Sequence, residues 1–230
     1  MTSAPPPANL RDVGGLRSDD GRTVRSGVLY RSELPHYAGQ PDLLPVWPPA
    51  AVIDLRLPFE RHSRHPLAGA DTVVHTAIVG IPAAAPGTSR ATDPDLTWIL
   101  LHLLPSVGDE IARIVRIVAD APGPVLVHCT VGKDRTGIVV ALLLRAAGVR
   151  HDDVLADYLR TGDDLPRLWN TLRTAGVGPP HNPGMAGVQR EAIEAVLAEV
   201  EGAPGGLAGW LASRGVSTAD LRRLTDRLVA

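Results

Sequence analysis

Cysteine and lysine are almost absent from this chain of 230 residues, because each occurs only once, as Cys129 and Lys133. A single cysteine excludes an intrachain disulfide bond and any metal site built from several thiolates. Arginine supplies the other 22 positively charged side chains. The one cysteine and the one lysine lie only four positions apart, so the segment around them is the first candidate for chemistry.

Aromatic residues and long apolar runs are also scarce. The chain has four tryptophans, three tyrosines and one phenylalanine, so its core must consist mainly of Leu, Val, Ile and Ala. The longest strongly apolar run covers residues 138–144, far fewer than the roughly 20 residues of a membrane-spanning helix. The first ten residues, MTSAPPPANL, lack the basic and apolar regions of a secretory signal. We therefore expect no transmembrane segment and a cytoplasmic location.

Neither sign of charge is in excess, since 23 Lys and Arg against 25 Asp and Glu give a net charge of −2. This balance argues against nucleic acid or an anionic membrane as a partner. A hydrophobic fraction of 44% is typical of a globular domain and excludes a wholly disordered chain. We predict a disordered tail over residues 1–8 and a single domain over residues 9–230. The sequence does not indicate an oligomeric state.

Hydrophobic periodicity predicts strands that alternate with helices. Apolar, β-branched runs predict buried strands at 51–56, 71–79 and 125–127, and residues 80–95 are predicted to be a loop. Helical spacing predicts helices at 109–120, 136–147, 151–161, 163–175, 186–200 and 205–229. This alternation indicates an α/β domain with a central, mainly parallel sheet flanked by helices. We interpret the segments after residue 186 as packing helices.

Residues 128–137, HCTVGKDRTG, combine the features of a site for an anion and a nucleophile. A strand, a loop and a helix in that order direct loop N–H groups and the positive end of the helix dipole toward one point. That field favours the thiolate form of Cys129 at the end of the strand. Gly132 permits the backbone torsions of a curled loop. Arg135 can bind two phosphate oxygens with its guanidinium fork.

Two further residues of this loop suit the same chemistry. Thr136 is placed to cap the following helix and to donate a hydrogen bond to the sulfur. Lys133 would supply a compact point charge, which arginine does not replace in a tight phosphate site. A cysteine and an arginine at this spacing are a weak signal alone, but the apolar strand before them and the apolar helix after them strengthen it. The alternative is a structural cysteine before an ordinary strand-to-helix turn.

The segment resembles the phosphate-binding loop of the cysteine-dependent protein tyrosine phosphatase superfamily. It is most similar to the bacterial tyrosine phosphatases whose loop reads Gly-Lys-Asp-Arg-Thr-Gly. The resemblance extends to NLRDVGG at 9–15, VIDLR at 52–56, DYLRT at 157–161 and the C-terminal helical segment. It implies the fold of that superfamily, with Cys129 as the nucleophile and Arg135 as the phosphate-binding cation. It also implies that the cradle is formed by the amides of Thr130, Val131, Gly132, Lys133, Asp134 and Arg135.

The resemblance further implies that Asp134 is the general acid. Its neighbours Lys133 and Arg135 favour the ionised carboxylate, whereas a bound phosphate dianion and the thiolate oppose that effect. The alternative acid is Asp93 or Asp95, in a TDPDL segment that resembles the separate acid loop of other phosphatases. We favour Asp134 because it lies within the loop itself.

Other candidate sites are weaker. The Gly-Lys pair at 132–133 does not form a nucleotide-binding loop, because position 127 is Val and position 134 is Asp. His62 and His65 lack the further ligands of a metal site, so we predict no bound metal. Asp54 and Arg56, at the end of a strand, could orient the loop or substrate, or form a structural ion pair. We interpret four residues near the N-terminus as a turn that stabilises the fold: Arg11, Asp12, Gly14 and Gly15.

These observations predict a phosphatase that hydrolyses phosphomonoesters, with phosphotyrosine in proteins as the favoured substrate and a phosphocysteine intermediate. No metal or organic cofactor is expected, because Arg135 and the loop amides supply the positive charge. One alternative is a phosphoinositide phosphatase, since Lys133 and Arg135 offer more positive charge than phosphotyrosine needs. The other alternative is a non-catalytic phosphate-binding module.

Overall fold

The strands of the protein form one sheet in the order β1-β2-β5-β3-β4. A computed structural model describes residues 7–35, 44–69, 71–81, 95–174 and 186–230. The strands are β1 Arg11–Asp12, β2 Leu29–Ser32, β3 Ala51–Asp54, β4 Val73–Thr76 and β5 Val125–His128. β1 pairs antiparallel with β2, and every other pairing is parallel. The register aligns Ser32, Asp54 and His128, so the carboxyl ends of β2, β3 and β5 meet at one edge.

Six α-helices and one short 3₁₀ turn complete the described part of the chain. The helices are α1 Leu96–Asp120, α2 Asp134–Ala146, α3 His151–Thr174, α4 Arg190–Glu201, α5 Gly206–Ala212 and α6 Thr218–Leu228, and the 3₁₀ turn is Pro58–Glu60. α1 packs against α2, α4 and α6. None of the helices in the described ranges is both long enough and apolar enough to cross a bilayer.

The central strands are buried along their whole length, which explains their nearly continuous apolar sequence. Every residue of β2, β3 and β5 is buried, as expected for parallel strands covered on both faces. The main hydrophobic core joins these strands to the apolar faces of α1, α2, α4 and α6. The predicted α/β class with a mainly parallel sheet is confirmed.

Two predicted helix boundaries, the start at residue 109 and the break at Gly162, are wrong. α1 begins at Leu96 and continues through Pro105, although the sequence predicts its start at residue 109. The segments 151–161 and 163–175 form one helix, α3, which continues through Pro166. An interior proline costs a helix about 3 kcal/mol. In α1 the burial of Leu100, Leu104 and Val107 against the core outweighs that cost.

The other differences are one predicted helix that is divided in two and several elements that begin or end at other residues than predicted. The predicted last helix, 205–229, is two helices, because Gly215 has a φ of +83° and Ser217 with Asp220 caps α6. β3 and β4 are shorter than predicted, α2 begins at Asp134, and the helix predicted at 186–200 begins at Arg190. Ala8, which was predicted to belong to the disordered tail, is buried; its N–H donates to the Glu33 carboxylate over 2.6 Å and its carbonyl accepts a hydrogen bond from the Glu33 N–H over 3.1 Å. The rest of the predicted tail, 1–6, lies outside the described residues.

Candidate active site

The segment of residues 129–133, here called the cysteine loop, connects β5 to α2 at the carboxyl edge of the sheet. Cys129 is buried at the end of β5. The backbone N–H of Gly132 donates a hydrogen bond to Cys129 Sγ over 3.2 Å. An amide that donates to sulfur stabilises the thiolate relative to the thiol. One backbone N–H of the loop therefore donates to the sulfur, and backbone N–H groups are the donors that the sequence predicts there.

Gly132 is required by the loop for two independent reasons. Its φ is +72°, in the left-handed region that favours glycine. A Cβ atom at this position would lie 2.6 Å from the backbone nitrogen of Glu33, which follows β2. Any side chain would therefore separate the cysteine loop from the neighbouring strand.

The loop carbonyl groups are held by donors from the surrounding structure. Leu55 N–H donates to the carbonyl of His128 over 2.9 Å, and Leu34 N–H donates to that of Thr130 over 3.2 Å. The carbonyl of Cys129 lies 2.9 Å from Nδ1 of His128. Because a trans peptide directs its N–H away from its C=O, these contacts direct the N–H groups of Thr130 and Val131 to the opposite side. This is the arrangement of an anion-binding concavity.

Arg135 forms a bidentate ion pair with Glu60, from the 3₁₀ turn after β3. Its Nη1 and Nη2 lie 2.6 and 2.7 Å from the two carboxylate oxygens. Nη1 also donates to the carbonyl of Leu55. Within the described residues, Nε and the second hydrogen of Nη2 have no partner. These two donors share one edge of the guanidinium plane, which suits the two oxygens of a phosphate group.

Glu60 is a site residue that the sequence analysis missed. Its carboxylate also accepts a hydrogen bond from the Thr130 hydroxyl over 2.5 Å and one from the Leu57 N–H over 2.8 Å. Burial by itself raises the pKa of a carboxyl group, but the Arg135 fork and the Thr130 hydroxyl outweigh it and lower the pKa of Glu60 to about 2. The signal in the sequence was a carboxylate shortly after a strand that ends at the candidate site.

Lys133 and Asp134 form an ion pair at the start of α2. Lys133 Nζ lies 2.9 Å from Asp134 Oδ1 and donates to the carbonyl of Gly187 over 3.0 Å. Lys133 is only 2% exposed, whereas 29% of the Asp134 side chain is exposed. The lysine therefore connects the cysteine loop to the segment before α4, and part of the aspartate remains accessible at the loop.

Thr136 does not cap α2, contrary to the prediction. The helix begins two residues earlier, at Asp134, and Lys133 occupies the N-cap position. The Thr136 hydroxyl is buried, and among the described residues it has no hydrogen-bond partner. The structure therefore does not show the predicted hydrogen bond to Cys129, although an unpaired hydroxyl remains in the first turn of the helix.

Asp54 and Arg56 form a buried ion pair with two contacts, of 3.0 and 2.9 Å. Next to it, Nε2 of His65 and Nε2 of His128 lie 2.8 Å apart. His65 Nδ1 accepts a hydrogen bond from Leu67 N–H, so its proton is on Nε2 and is donated to His128. Burial lowers the pKa of His128 to about 4, which keeps it neutral. His128 must then donate from Nδ1 to the carbonyl of Cys129, which orients the first peptide of the loop.

The same hydrogen bonds bear on a possible metal site. Asp54, His65 and His128 could place three ligand atoms within 4.8 Å of one another. The His65 proton, however, occupies the space between the two Nε2 atoms, and Arg56 binds the Asp54 carboxylate. The donor set is therefore already used within the protein. His62, the predicted partner of His65, is exposed and outside this cluster.

The alternative general acids are not in the cysteine loop. Asp95 is the N-cap of α1, and its carboxylate accepts a hydrogen bond from Trp98 N–H over 2.8 Å. Asp93 lies outside the described residues. Of the predicted acids that lie in the described residues, Asp134 is at the start of α2, directly before Arg135.

A profile of the tyrosine phosphatase family matches residues 4–230, which is nearly the whole chain. The chain belongs to the tyrosine phosphatase family. Its membership confirms the family predicted from the sequence motifs. The cysteine loop, β5 and α2 of this phosphatase family member all lie within the matched range.

Three bacterial relatives of this chain are also named as phosphatases. A Cupriavidus necator protein named as a tyrosine-protein phosphatase is 34% identical over an alignment of 184 positions, which covers 74% of this chain and 67% of the relative. The triple specificity protein phosphatase PtpB of Mycobacterium tuberculosis is 35% identical over 51% of this chain and 48% of its own length. A Nostoc commune tyrosine-protein phosphatase is 36% identical over 49% of this chain and 42% of its own length. The matches thus span about half or less of two of these relatives.

Proposed function

We propose that the protein is a cysteine-dependent phosphatase that hydrolyses phosphotyrosine in proteins. The observation that carries this proposal is the arrangement of Cys129, Gly132 and Arg135. One short loop holds a buried sulfur that accepts an amide hydrogen bond, next to an arginine with two donors on one edge that have no partner among the described residues. A nucleophile and a binding site for phosphate oxygens are the requirements for covalent phosphoryl transfer.

In the proposed reaction, the Cys129 thiolate attacks phosphorus while the bond from phosphorus to the phenolic oxygen breaks. Asp134 gives its proton to the leaving oxygen and then accepts one from the water that attacks the phosphocysteine. The S–P bond breaks and inorganic phosphate leaves. Arg135 and the loop amides stabilise the charge on the three equatorial oxygens. The thiolate requires a reduced cysteine, so we place this activity in the cytoplasm.

The assignment of Asp134 as the acid is supported by its position and its accessibility. The residue starts α2, directly before Arg135, and 29% of its side chain is exposed. Its Oδ1 is paired with Lys133, which leaves Oδ2 to carry the proton. A bound phosphate dianion favours that protonation by like-charge repulsion.

Asp134→Asn is expected to lower kcat about 100-fold on phenyl phosphate, whose leaving group needs a proton. The loss on p-nitrophenyl phosphate should be much smaller, because that leaving group is stable as an anion. The basic limb of the pH–rate profile should disappear. Asp95→Asn is the matched control, since asparagine also caps helices. The assignment is wrong if Asp134→Asn keeps the basic limb and an Asp93→Asn or Asp95→Asn variant loses it.

The preference for an aromatic substrate is supported by Phe59. It is the one phenylalanine of the chain, it is 72% exposed, and it directly precedes Glu60 in the turn that contacts Arg135. A substrate phenyl ring above the phosphate site would be within reach of this side chain.

Phosphate release from a phosphotyrosine peptide, a phosphoserine peptide and a short-chain phosphoinositide tests the proposed function. Phe59→Ala should lower kcat/KM about 3- to 10-fold on the phosphotyrosine peptide, from the energy of one aromatic contact, and leave the phosphoserine peptide nearly unchanged. The control is Val73→Ala, since Val73 is 59% exposed at the opposite edge of the sheet. Greater kcat/KM on the phosphoinositide would contradict the proposal. The contacts of Lys133 offer no support for a lipid substrate, because its ammonium group is buried.

A further inference from the structure

One carbonyl of the cysteine loop is held by side chains from far away in the sequence. The carbonyl oxygen of Gly132 accepts a hydrogen bond from Asn9 Nδ2 over 2.7 Å and another from Arg31 Nη2 over 3.0 Å. Asn9 precedes β1 and Arg31 lies in β2. Both side chains are buried, and Arg31 is completely inaccessible. We call Asn9 and Arg31 the carbonyl clamp.

The carbonyl clamp controls the direction of one amide. In the trans peptide between Gly132 and Lys133, the N–H of Lys133 is directed away from the clamped oxygen. Glycine has no Cβ to restrict rotation of this peptide, so the loop alone would not hold it. In the flipped orientation the carbonyl dipole would face the thiolate and the phosphate oxygens, where it would repel both.

A buried ion-pair network fixes the carbonyl clamp in turn. Asp157 in α3 binds Arg31 Nη1 through one carboxylate oxygen and Arg11 Nε through the other, each over 2.7 Å. The Thr161 hydroxyl donates to Asn9 Oδ1, and Arg11 contacts the same oxygen. The network therefore connects the N-terminal NLRD segment and the DYLRT segment of α3 to each other and to the cysteine loop.

Two arginines of the network, Arg11 and Arg31, share the single carboxylate of Asp157, and the carboxylate of Asp164 accepts a hydrogen bond from the Asn9 N–H. Burial opposes ionisation of that carboxylate, but the two guanidinium groups hold the pKa of Asp157 below its ordinary value. Burial, and then the charge of Arg11, lower the pKa of Arg31 to about 10, so it stays protonated at neutral pH. This charge favours both a thiolate and a bound dianion.

We propose that Asn9 and Arg31 are positioning residues of the phosphatase reaction, which aim the Lys133 N–H at the transferring phosphoryl group by holding the Gly132 carbonyl. The inference rests on the proposed function, because it assigns a task within the same site. Neither residue touches the substrate. Both act through the orientation of one backbone amide.

The first test compares Arg31→Lys with Arg145→Lys. Arg145 also bridges a carboxylate and a carbonyl, Glu201 at 2.8 Å and Val149 at 2.5 Å, but at the far end of α2. Both variants should lower the melting temperature. Arg31→Lys should also lower kcat and the affinity for tungstate, each about 10- to 100-fold, as for a lost oxyanion donor. Arg145→Lys should retain both values within about twofold when measured well below its melting temperature.

Asn9→Asp is the second variant, in case Arg31→Lys fails to fold. Aspartate tolerates the φ of +60° at this position and keeps the Oδ1 acceptor for Arg11 and Thr161. It replaces the donor to Gly132 with a negatively charged oxygen that repels the carbonyl, and the expected losses are the same. Tungstate binding is measured by calorimetry, so it does not require turnover. Weaker tungstate binding in the variants supports the inference even if the wild type shows no phosphatase activity, whereas kcat and tungstate affinity equal to those of Arg145→Lys overturn it.

Discussion

Replacing Cys129 with serine is expected to lower turnover by at least about 10⁴-fold, the scale of losing a covalent nucleophile. The cysteine loop stabilises an anion on Sγ through the N–H of Gly132 and the N-terminus of α2. A thiol is far more acidic than the hydroxyl of serine, which stays protonated in the same loop. The serine side chain is also small enough to leave the loop amides in place.

Binding should therefore survive when turnover is lost. Calorimetric titration of Cys129→Ser with tungstate should give an affinity within about tenfold of the wild type, since Arg135 and the amides remain. After rapid acid quenching of the wild-type reaction, mass spectrometry should find one phosphoryl group on the peptide that contains Cys129. Appreciable hydrolysis by the serine variant, or a phosphoryl group on another residue, would falsify the phosphocysteine mechanism.

The cysteine loop itself could be predicted because its signals are local. An apolar strand, a glycine, an arginine and an apolar helix follow one another within about 20 residues of sequence, and each has a conformational reason to be there. The partners of the loop could not be predicted in this way. Glu60 is 75 positions from Arg135, and Asn9 is 123 positions from Gly132. Their contacts depend on the order and register of parallel strands, which no local pattern encodes.

The contacts of Lys133 could not be predicted either, although its position in the loop could. The sequence shows that a lysine lies in the loop, but it does not show in which direction the ammonium group points. That group reaches Asp134 and the carbonyl of Gly187, a residue 54 positions away. The helices gave the opposite error, because local signals predicted a start at residue 109 for α1 and a break at Gly162 within α3. Tertiary packing of α1 and α3 overrides them.

Arg135→Lys is the second change from which a large loss is expected, about 10³-fold in kcat, comparable to the loss of other arginines that stabilise phosphoryl transfer. Glu60 occupies two donors of the guanidinium group, and the free edge with Nε remains for phosphate. A lysine ammonium cannot hold Glu60 and two phosphate oxygens in one plane. It would pair with the carboxylate and leave the phosphoryl group with a single point contact or none.

Glu60→Gln separates the orientation of Arg135 from its charge. Glutamine keeps one acceptor oxygen for the fork, so kcat should fall only about 10-fold, while Arg135→Lys loses far more. The pH dependence of unfolding gives an independent check. The pKa of Glu60 is about 2 in the folded state against an ordinary 4.5, so this group stabilises the fold above pH 4.5, and that stability is lost as the pH falls from 4.5 toward 2. Glu60→Gln should lack this part of the acid dependence.

The two variants together decide what the ion pair does. If Glu60 serves to orient the guanidinium, Glu60→Gln lowers kcat and raises KM, since a misaligned fork weakens substrate binding and weakens binding of the transition state still more. If Glu60 instead competes with phosphate for Arg135, its replacement by glutamine lowers KM. The free Nε edge favours the first result, because Glu60 and phosphate would bind different donors of the same group. A lower KM in Glu60→Gln would show that the carboxylate must be displaced from Arg135 before substrate binds.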